Sequence, residues 1–475
     1  MHKSKLIDKL RLLNKDELRD FARFIESPYF NTDKRMIGLF DYLKAYYPEF
    51  ESEDLDREYV AGQLFPEWAA KQYNKISHLM TTLSQLVSDF MTIRELENDR
   101  LEWQQLELKA YKRRQGDWFF DSTAKKLNKG LEKGTERGTD YYFHRYRLNH
   151  EIYTHNATDR VQIGIDSLHD AIHNLDLFYF SSKLRYSSEV RSRELLFSEK
   201  SELVLLDEML EAVQLPAFEN EVFVQVFSLI VSLYQTSDKT TYHTLKELIF
   251  SNLNHFNEIE KFDIIQGIVN YCIMKYNKGE NEYLIEIFDL YEYSLMEGVW
   301  TTEGIIVHIV FDNIVAIACT LERYEWGESF ICQYAQYLRE DIKVSIETMA
   351  MCRLEFSKGN FERTLELLQN VDFVDVTLNV NAKVFQLRCY YELENYEEVF
   401  YDACNAFTQY CRRNKVISKA TKERRLGFVK FLKRLHQAKY YQKEGRAALM
   451  QHLGKQPVSN KIWLEKKIRE DVKLK

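Results

Sequence analysis

Proline and glycine are scarce: 5 and 16 in 475 residues. A sandwich or barrel of many short strands needs far more turn residues, whereas long helices with short connections need few. No run of apolar residues is long and charge-free enough to cross a bilayer. The most apolar stretch, GIIVHIVFDNIVAIACT at 304–320, carries His308, Asp312 and Asn313 in its middle, so no membrane span is expected. MHKSKLIDKLRLLNKDEL at the start spreads charges through its apolar residues and reads as an amphipathic helix, not a secretory signal. The expectation is that the chain begins on its first folded helix.

Equally absent are a Walker loop, a GxGxxG turn, a GxSxG elbow and a glycine-rich phosphate cradle; KGLEKGTERG at 129–138 sets its glycines among charges, as a solvated helix end does. No cofactor is implied, and the expectation is a protein that is not an enzyme. The 7 cysteines lie in the second half of the chain, at 272, 319, 332, 352, 389, 404 and 411, with no CxxC pair. Each sits in an apolar helical run, which points to buried free thiols in a reducing cytoplasm and against a disulfide framework or zinc module.

What is present is hydrophobic residue, 45% of the chain, enough for a large core. The fold class expected is all-α, divided into an N-terminal helical bundle (1–100), a helical repeat region (101–410) and a basic helical capping segment (411–475). In the bundle, Leu6, Leu10 and Leu13 share a helix face and Asn14 can cap the next helix. That helix runs through Leu18, Phe21, Phe24 and Ile25 and stops at Pro28. Met36, Leu39, Phe40 and Leu43 mark a third helix and Ser52 caps a fourth. Ile76, Met80, Leu83, Val87 and Phe90 mark a long fifth.

From 101 onward a polar turn followed by an aromatic recurs: GENEY at 279–283, ERY at 322–324, GNF at 359–361 and ENY at 394–396. The aromatics at 283, 324, 361 and 396 are spaced by 41, 37 and 35 residues. Weaker copies precede Trp118, Arg160, the region of Leu203, and Tyr242. A period of this length with one polar turn is what stacked helix pairs require, because only the neighbouring pair can cover each pair's apolar face.

MCRLEFSKGNFERTLELLQ and NAKVFQLRCYYELENYEEVFYDACNAF, within 340–410, resemble two tetratricopeptide repeats, with Phe361 and Tyr396 as the aromatics after the turn. Gly327 supplies the family's small residue three positions after Tyr324. Thr364 and Val399 are larger at that place, and the early Trp and closing Pro are missing. The resemblance implies an α-solenoid of antiparallel helix pairs, with the first helix of each pair lining a concave groove. It places Lys275, Ala316, Arg353 and Arg388 in that groove, eight residues before each aromatic, with Tyr271 and Tyr391 beside them. Such a groove would clamp an acidic or carboxylate-bearing peptide. The plainer reading is that these cations pair with glutamates on adjacent helices.

Two other features compete. Residues 411–475 hold 20 Lys and Arg against 5 Asp and Glu, while 1–410 hold 45 against 68. Arg412, Arg413, Arg424, Arg425, Lys433 and Arg434, with Phe428 and Trp463 among them, suit phosphate contacts and base stacking, or docking on the acidic body. HDAIH at 169–173 spaces His169 and His173 for a divalent metal, but Asp170 stands where a zincin has Glu and spacing identifies no third ligand. Between Ile165, Leu168, Ile172 and Leu175 as core positions, both histidines are expected on a solvated rim, and no metal is assigned. The function expected is a cytoplasmic, non-enzymatic scaffold for protein–protein interaction, taking a partner protein or peptide in the groove. The alternative is a nucleic-acid-associated regulator that uses the basic segment.

Overall fold

The computed structural model describes residues 1, 3–66, 73–155, 166–194, 201–301, 304–371, 375–393, 396–441 and 444–472. Among them the chain is all-α: 23 α-helices joined by short connections and a few 3-10 turns, with no strand. None of these helices is long and apolar enough to cross a membrane. The chain divides into two compact units, Met1–Phe178 and Tyr179–Lys475.

Two hydrophobic clusters of the first unit stand out among its described residues. In one, the helix Lys15–Glu26 begins at a reciprocal cap. Asn14 Oδ1 accepts from the Asp16 and Glu17 amides, and the Glu17 carboxylate accepts from the Asn14 amide at 2.8 Å. Both otherwise orphaned ends are thereby satisfied, and the helix stops before Pro28. Its inward stripe, Leu18, Phe21 and Ile25, meets Phe40 and Phe90, with Phe21 and Phe40 edge to face at 4.9 Å. Lys9 Nζ, donating to Ser88 Oγ at 2.6 Å, ties the first helix, Lys5–Arg11, to Tyr73–Asn98. The other core joins Leu108, Phe120, Leu127 and Leu148 from the helices Arg100–Arg113, Asp117–Lys133 and Thr139–His155.

In the second unit, helices pack on their chain neighbours in pairs: Val222–Thr236 with Lys239–Asn252, Glu258–Asn277 with Tyr283–Met296, and His308–Thr320 with Tyr324–Tyr334. Lys343–Lys358 with Phe361–Gln369 and Val376–Glu392 with Glu397–Arg413 follow. Lys343–Lys358 also packs between His308–Thr320 and Val376–Glu392. The turn that closes a pair holds a left-handed residue: Ser237 (φ 54°), Gly279 (φ 99°), Glu322 (φ 57°) and Gly359 (φ 88°). Gln115 (φ 57°) does the same ahead of Trp118 in the first unit. At Gly359 the chain turns out of the helix, and the Asn360 amide returns to the Glu355 carbonyl at 2.9 Å. Glycine takes this conformation at no steric cost. The close approach after the turn is equally physical, since a Cβ on Gly327 would lie 3.1 Å from Leu354 Cδ1.

The C-terminal segment shares the core of the pairs before it. Phe428, Leu432 and Leu435 of Lys419–Tyr441, Leu449 of Arg446–Lys455, and Leu464 and Ile468 of Lys461–Asp471 join one cluster with Phe385, Tyr391, Phe400 and Cys404. The segment is thus docked as helix through Asp471. Six of the seven cysteines are buried as expected; Cys332 is exposed, because Tyr324–Tyr334 turns only Gly327, Phe330 and Ile331 fully inward. Of the turn copies read in the sequence, Arg160 and residues 394–395 lie outside the described residues.

Candidate functional site

Arginines from three helices converge on one cavity of about 520 Å³ in the second unit. Val376–Glu392 starts firmly, because Asp375 Oδ1 accepts from the amides of Thr377 and Leu378 at 2.8 and 2.9 Å. The start sets the phase of the helix, and Asn381, Phe385 and Arg388, spaced by four and three residues, fall on the one face that lines the cavity. Lys343–Lys358 contributes Arg353, His308–Thr320 contributes His308 and Asp312, and Lys419–Tyr441 contributes Arg425. Ile309, Ile342, Ile346 and Leu378 add apolar wall.

The charges are unequally matched. Arg353 forks onto Asp312, its Nη2 2.8 Å from both carboxylate oxygens and its Nε 3.2 Å from Oδ1. Arg339 is paired to Asp341, and the Asp375 carboxylate is engaged as a helix cap. Arg388 has no carboxylate partner among the described residues, and its buried Nε has no hydrogen-bond partner there. Its guanidinium lies instead among three rings, 4.1 Å from the centroid of Phe356, 4.8 Å from Trp463 and 5.1 Å from Phe385. Burial, and then the neighbouring Arg353 cation, pull Arg388 down to about 9, so it is still protonated at neutral pH. Arg425 donates to Asn381 Oδ1 at 2.6 Å, a neutral acceptor, and burial lowers its pKa as well. Two guanidiniums therefore line one cavity with no carboxylate in ion-pair contact with either among the described residues; Glu392 attracts Arg388 from further off, and its own ion pair is with Lys467.

Of the expected groove residues, Arg353 and Arg388 are brought together here. Lys275 is engaged elsewhere, 2.6 Å from Glu280 and over the Tyr283 ring. Tyr271 and Tyr391 do not line a groove. They are 0% and 1% exposed, because their helices are covered on more than one side by neighbouring helices. Tyr271 packs against Tyr242 and Tyr283, and Tyr391 Oη donates to Asp471 at 2.7 Å. Ala316 is half-buried and outside the cavity lining.

The basic segment does not form one face. Arg412, Arg413 and Arg424 are exposed, Lys433 donates to Asn405 at 2.6 Å, Arg434 pairs with Glu444, and Arg425 turns into the arginine cavity. Arg412, Lys430 and Lys433 line a second cleft of about 530 Å³. Phe428 is 0% exposed and Trp463 is held among Phe356, Tyr391 and Arg388, so neither is placed to stack a base. His169 and His173 are exposed, as expected, but the core face beneath them differs from the expected one. Ala171, Asn174, Leu177 and Ser181 are buried, while Ile172 and Leu175 are 53% and 42% exposed; Ile165 lies outside the described residues. Among the described residues no three His, Cys, Asp or Glu side chains gather as a metal site.

Asp312 and Asn381 were missed in the sequence, and Arg425 was grouped with the tail. Asn381 had a usable signal: it precedes Arg388 by seven residues, two turns on the same face. Compared with protein-family models, with curated proteins and with solved structures, the chain matches none.

Proposed function

We propose that this chain is a non-enzymatic scaffold, a tetratricopeptide-like solenoid of antiparallel helix pairs, which holds a partner protein by an acidic group received in the arginine cavity. The observation that carries this reading is Arg388, a half-buried guanidinium that lines the cavity, whose buried Nε has no hydrogen-bond partner and which has no carboxylate in ion-pair contact among the described residues. A charge taken out of water without a counter-ion costs stability, and a partner's acidic group offsets that cost. Apolar wall residues such as Ile346 and Leu378 give the carrier of that group a surface to pack on. The buried free cysteines suit work in a reducing cytoplasm.

Affinity capture with quantitative mass spectrometry tests the reading, using the wild type, Arg388→Met, and an Arg412→Glu/Lys430→Glu variant, each with and without nuclease. The expected result is a discrete set of proteins, stable to nuclease, lost with Arg388→Met and kept with the second variant. An identical set on wild type and Arg388→Met would remove the cavity from the function. A set that vanishes with nuclease and with the Arg412→Glu/Lys430→Glu variant would move the function to nucleic acid and the basic segment.

A further inference from the structure

We infer that the acidic group taken by the cavity is a phosphate monoester on a side chain of the partner, an inference that rests on the reading above and specifies its chemistry. The first ground is charge. Arg353 is matched by Asp312, while Arg388 and Arg425 have no carboxylate partner among the described residues. A carboxylate brings one negative charge and leaves one guanidinium unmatched. A phosphate monoester brings close to two at neutral pH.

The second ground is direction. A carboxylate presents two coplanar oxygens and suits a single guanidinium fork, as Asp312 does for Arg353. The donors of the cavity come from separate helices: Arg388 from Val376–Glu392, Arg425 from Lys419–Tyr441 and Arg353 from Lys343–Lys358. Donors converging from different sides match three phosphate oxygens arranged around a tetrahedral centre. Asn381, which holds Arg425, and Arg388 stand about 10 Å apart along one helix face, with Phe385 between them. Arg353 and Arg388 both lie over the Phe385 ring, at 5.7 and 5.1 Å from its centroid. The phosphoryl group belongs on the guanidinium nitrogens that face the cavity, with the Phe385 ring backing the cations and not the anion.

The third ground is room. At about 520 Å³ the cavity exceeds what a phosphoryl group fills, so part of its carrier enters with it. Phe385, Ile346, Met349 and Leu378 offer that carrier an apolar or aromatic surface.

Phenyl phosphate and benzoate share a ring and differ in the anion, which makes them the probes of choice. Isothermal titration of each into the full-length chain at constant ionic strength is expected to show one saturable site. Phenyl phosphate should bind about tenfold more tightly than benzoate. Arg388→Met and Arg425→Gln should each weaken phenyl phosphate by about tenfold or more, with the helical signal and thermal midpoint of each variant recorded as the folding control. Arg413→Met, on the exposed surface, should change nothing. Benzoate binding as tightly as phenyl phosphate would overturn the phosphate assignment and leave the acidic-partner reading standing. Absence of binding by either probe, or equal binding by wild type and a folded Arg388→Met, would also overturn it, and the capture comparison would then decide the partner reading separately.

Discussion

Two junctions in the second unit use similar residues to opposite ends. In the upstream one, Tyr242 and Lys246 of Lys239–Asn252 meet Glu286 of Tyr283–Met296: Tyr242 Oη donates at 2.6 Å and Lys246 Nζ at 2.5 Å. Burial raises the Glu286 pKa, but these two hydrogen bonds outweigh it and hold the carboxylate below its usual range. Lys275 nearby has Glu280. In the downstream junction, aromatic rings again surround a cation, yet Arg388 has no carboxylate among the described residues and Arg425 has only an amide oxygen. Where each charge has its partner, the residues hold neighbouring helices together. Where a half-buried cation has no ion-pair partner among the described residues, the side chain leans on aromatic rings instead, and it is this arrangement on which the proposed acidic-partner site rests.

Removing Tyr242 should break the comparison most severely. Tyr242→Ala deletes a ring that is 1% exposed and a donor to Glu286, and is expected to lower unfolding free energy by about 3–5 kcal/mol, read as a fall in denaturant midpoint. Next comes a matched pair of charge removals. Lys246→Met strands a half-buried carboxylate and should cost about 1–2 kcal/mol. Arg388→Met removes an unmatched cation while Met keeps contact with three rings, so its change should stay within about 1 kcal/mol in either direction. Equal losses in both would mean that Arg388 is as structural as Lys246.

A smaller effect is expected from acid. His436, buried downstream beside Phe400 and Tyr401, is held below the ordinary histidine range by burial. The unfolded chain takes up a proton below about pH 6.5 that the folded chain refuses, so the stability present above that pH is lost as pH falls, by at most about 1.4 kcal/mol per pH unit. Comparing wild type with His436→Gln between about pH 7 and about pH 5.5 should show a shallower slope for the variant. An unchanged slope would take His436 out of the acid response. The smallest effect belongs to Arg412→Met, an exposed cation, whose stability change should remain under about 0.5 kcal/mol; a larger one would show that the second cleft is structural as well.

Legibility followed the range of the cause. Asn14 could be read as a cap, and Gly359 as a turn residue, because the hydrogen bonds and the left-handed backbone that need them are local; Glu17, which completes the cap, emerged only in the structure. Helix faces were less secure where both sides carry apolar residues. In Asp166–Glu194 the expected stripe through Ile172 and Leu175 is exposed, and Ala171, Leu177 and Leu184 are buried instead. Tyr271 and Tyr391 failed as groove residues for a related reason: a helix covered by its pair and by the next pair buries more than one face. The repeat offset did single out Arg353 and Arg388, while Arg425, far along the chain, carried no local sign of facing them.

The sequence by itself determined the helical character of the described residues, several of the places where helices start and stop, and turns within the pairs, since backbone hydrogen bonding, capping and turn conformation depend on residues a few positions apart; Ser52, expected to cap the fourth helix, caps only the 3-10 turn Glu53–Leu55, and Asp56 caps Arg57–Leu64. Only the tertiary structure decided that the basic segment docks as core and that Arg425 turns inward to Arg353 and Arg388. It also decided that Tyr271 and Tyr391 are enclosed. Burial and charge balance depend on which distant helices share a face, and nothing local to those residues encodes that.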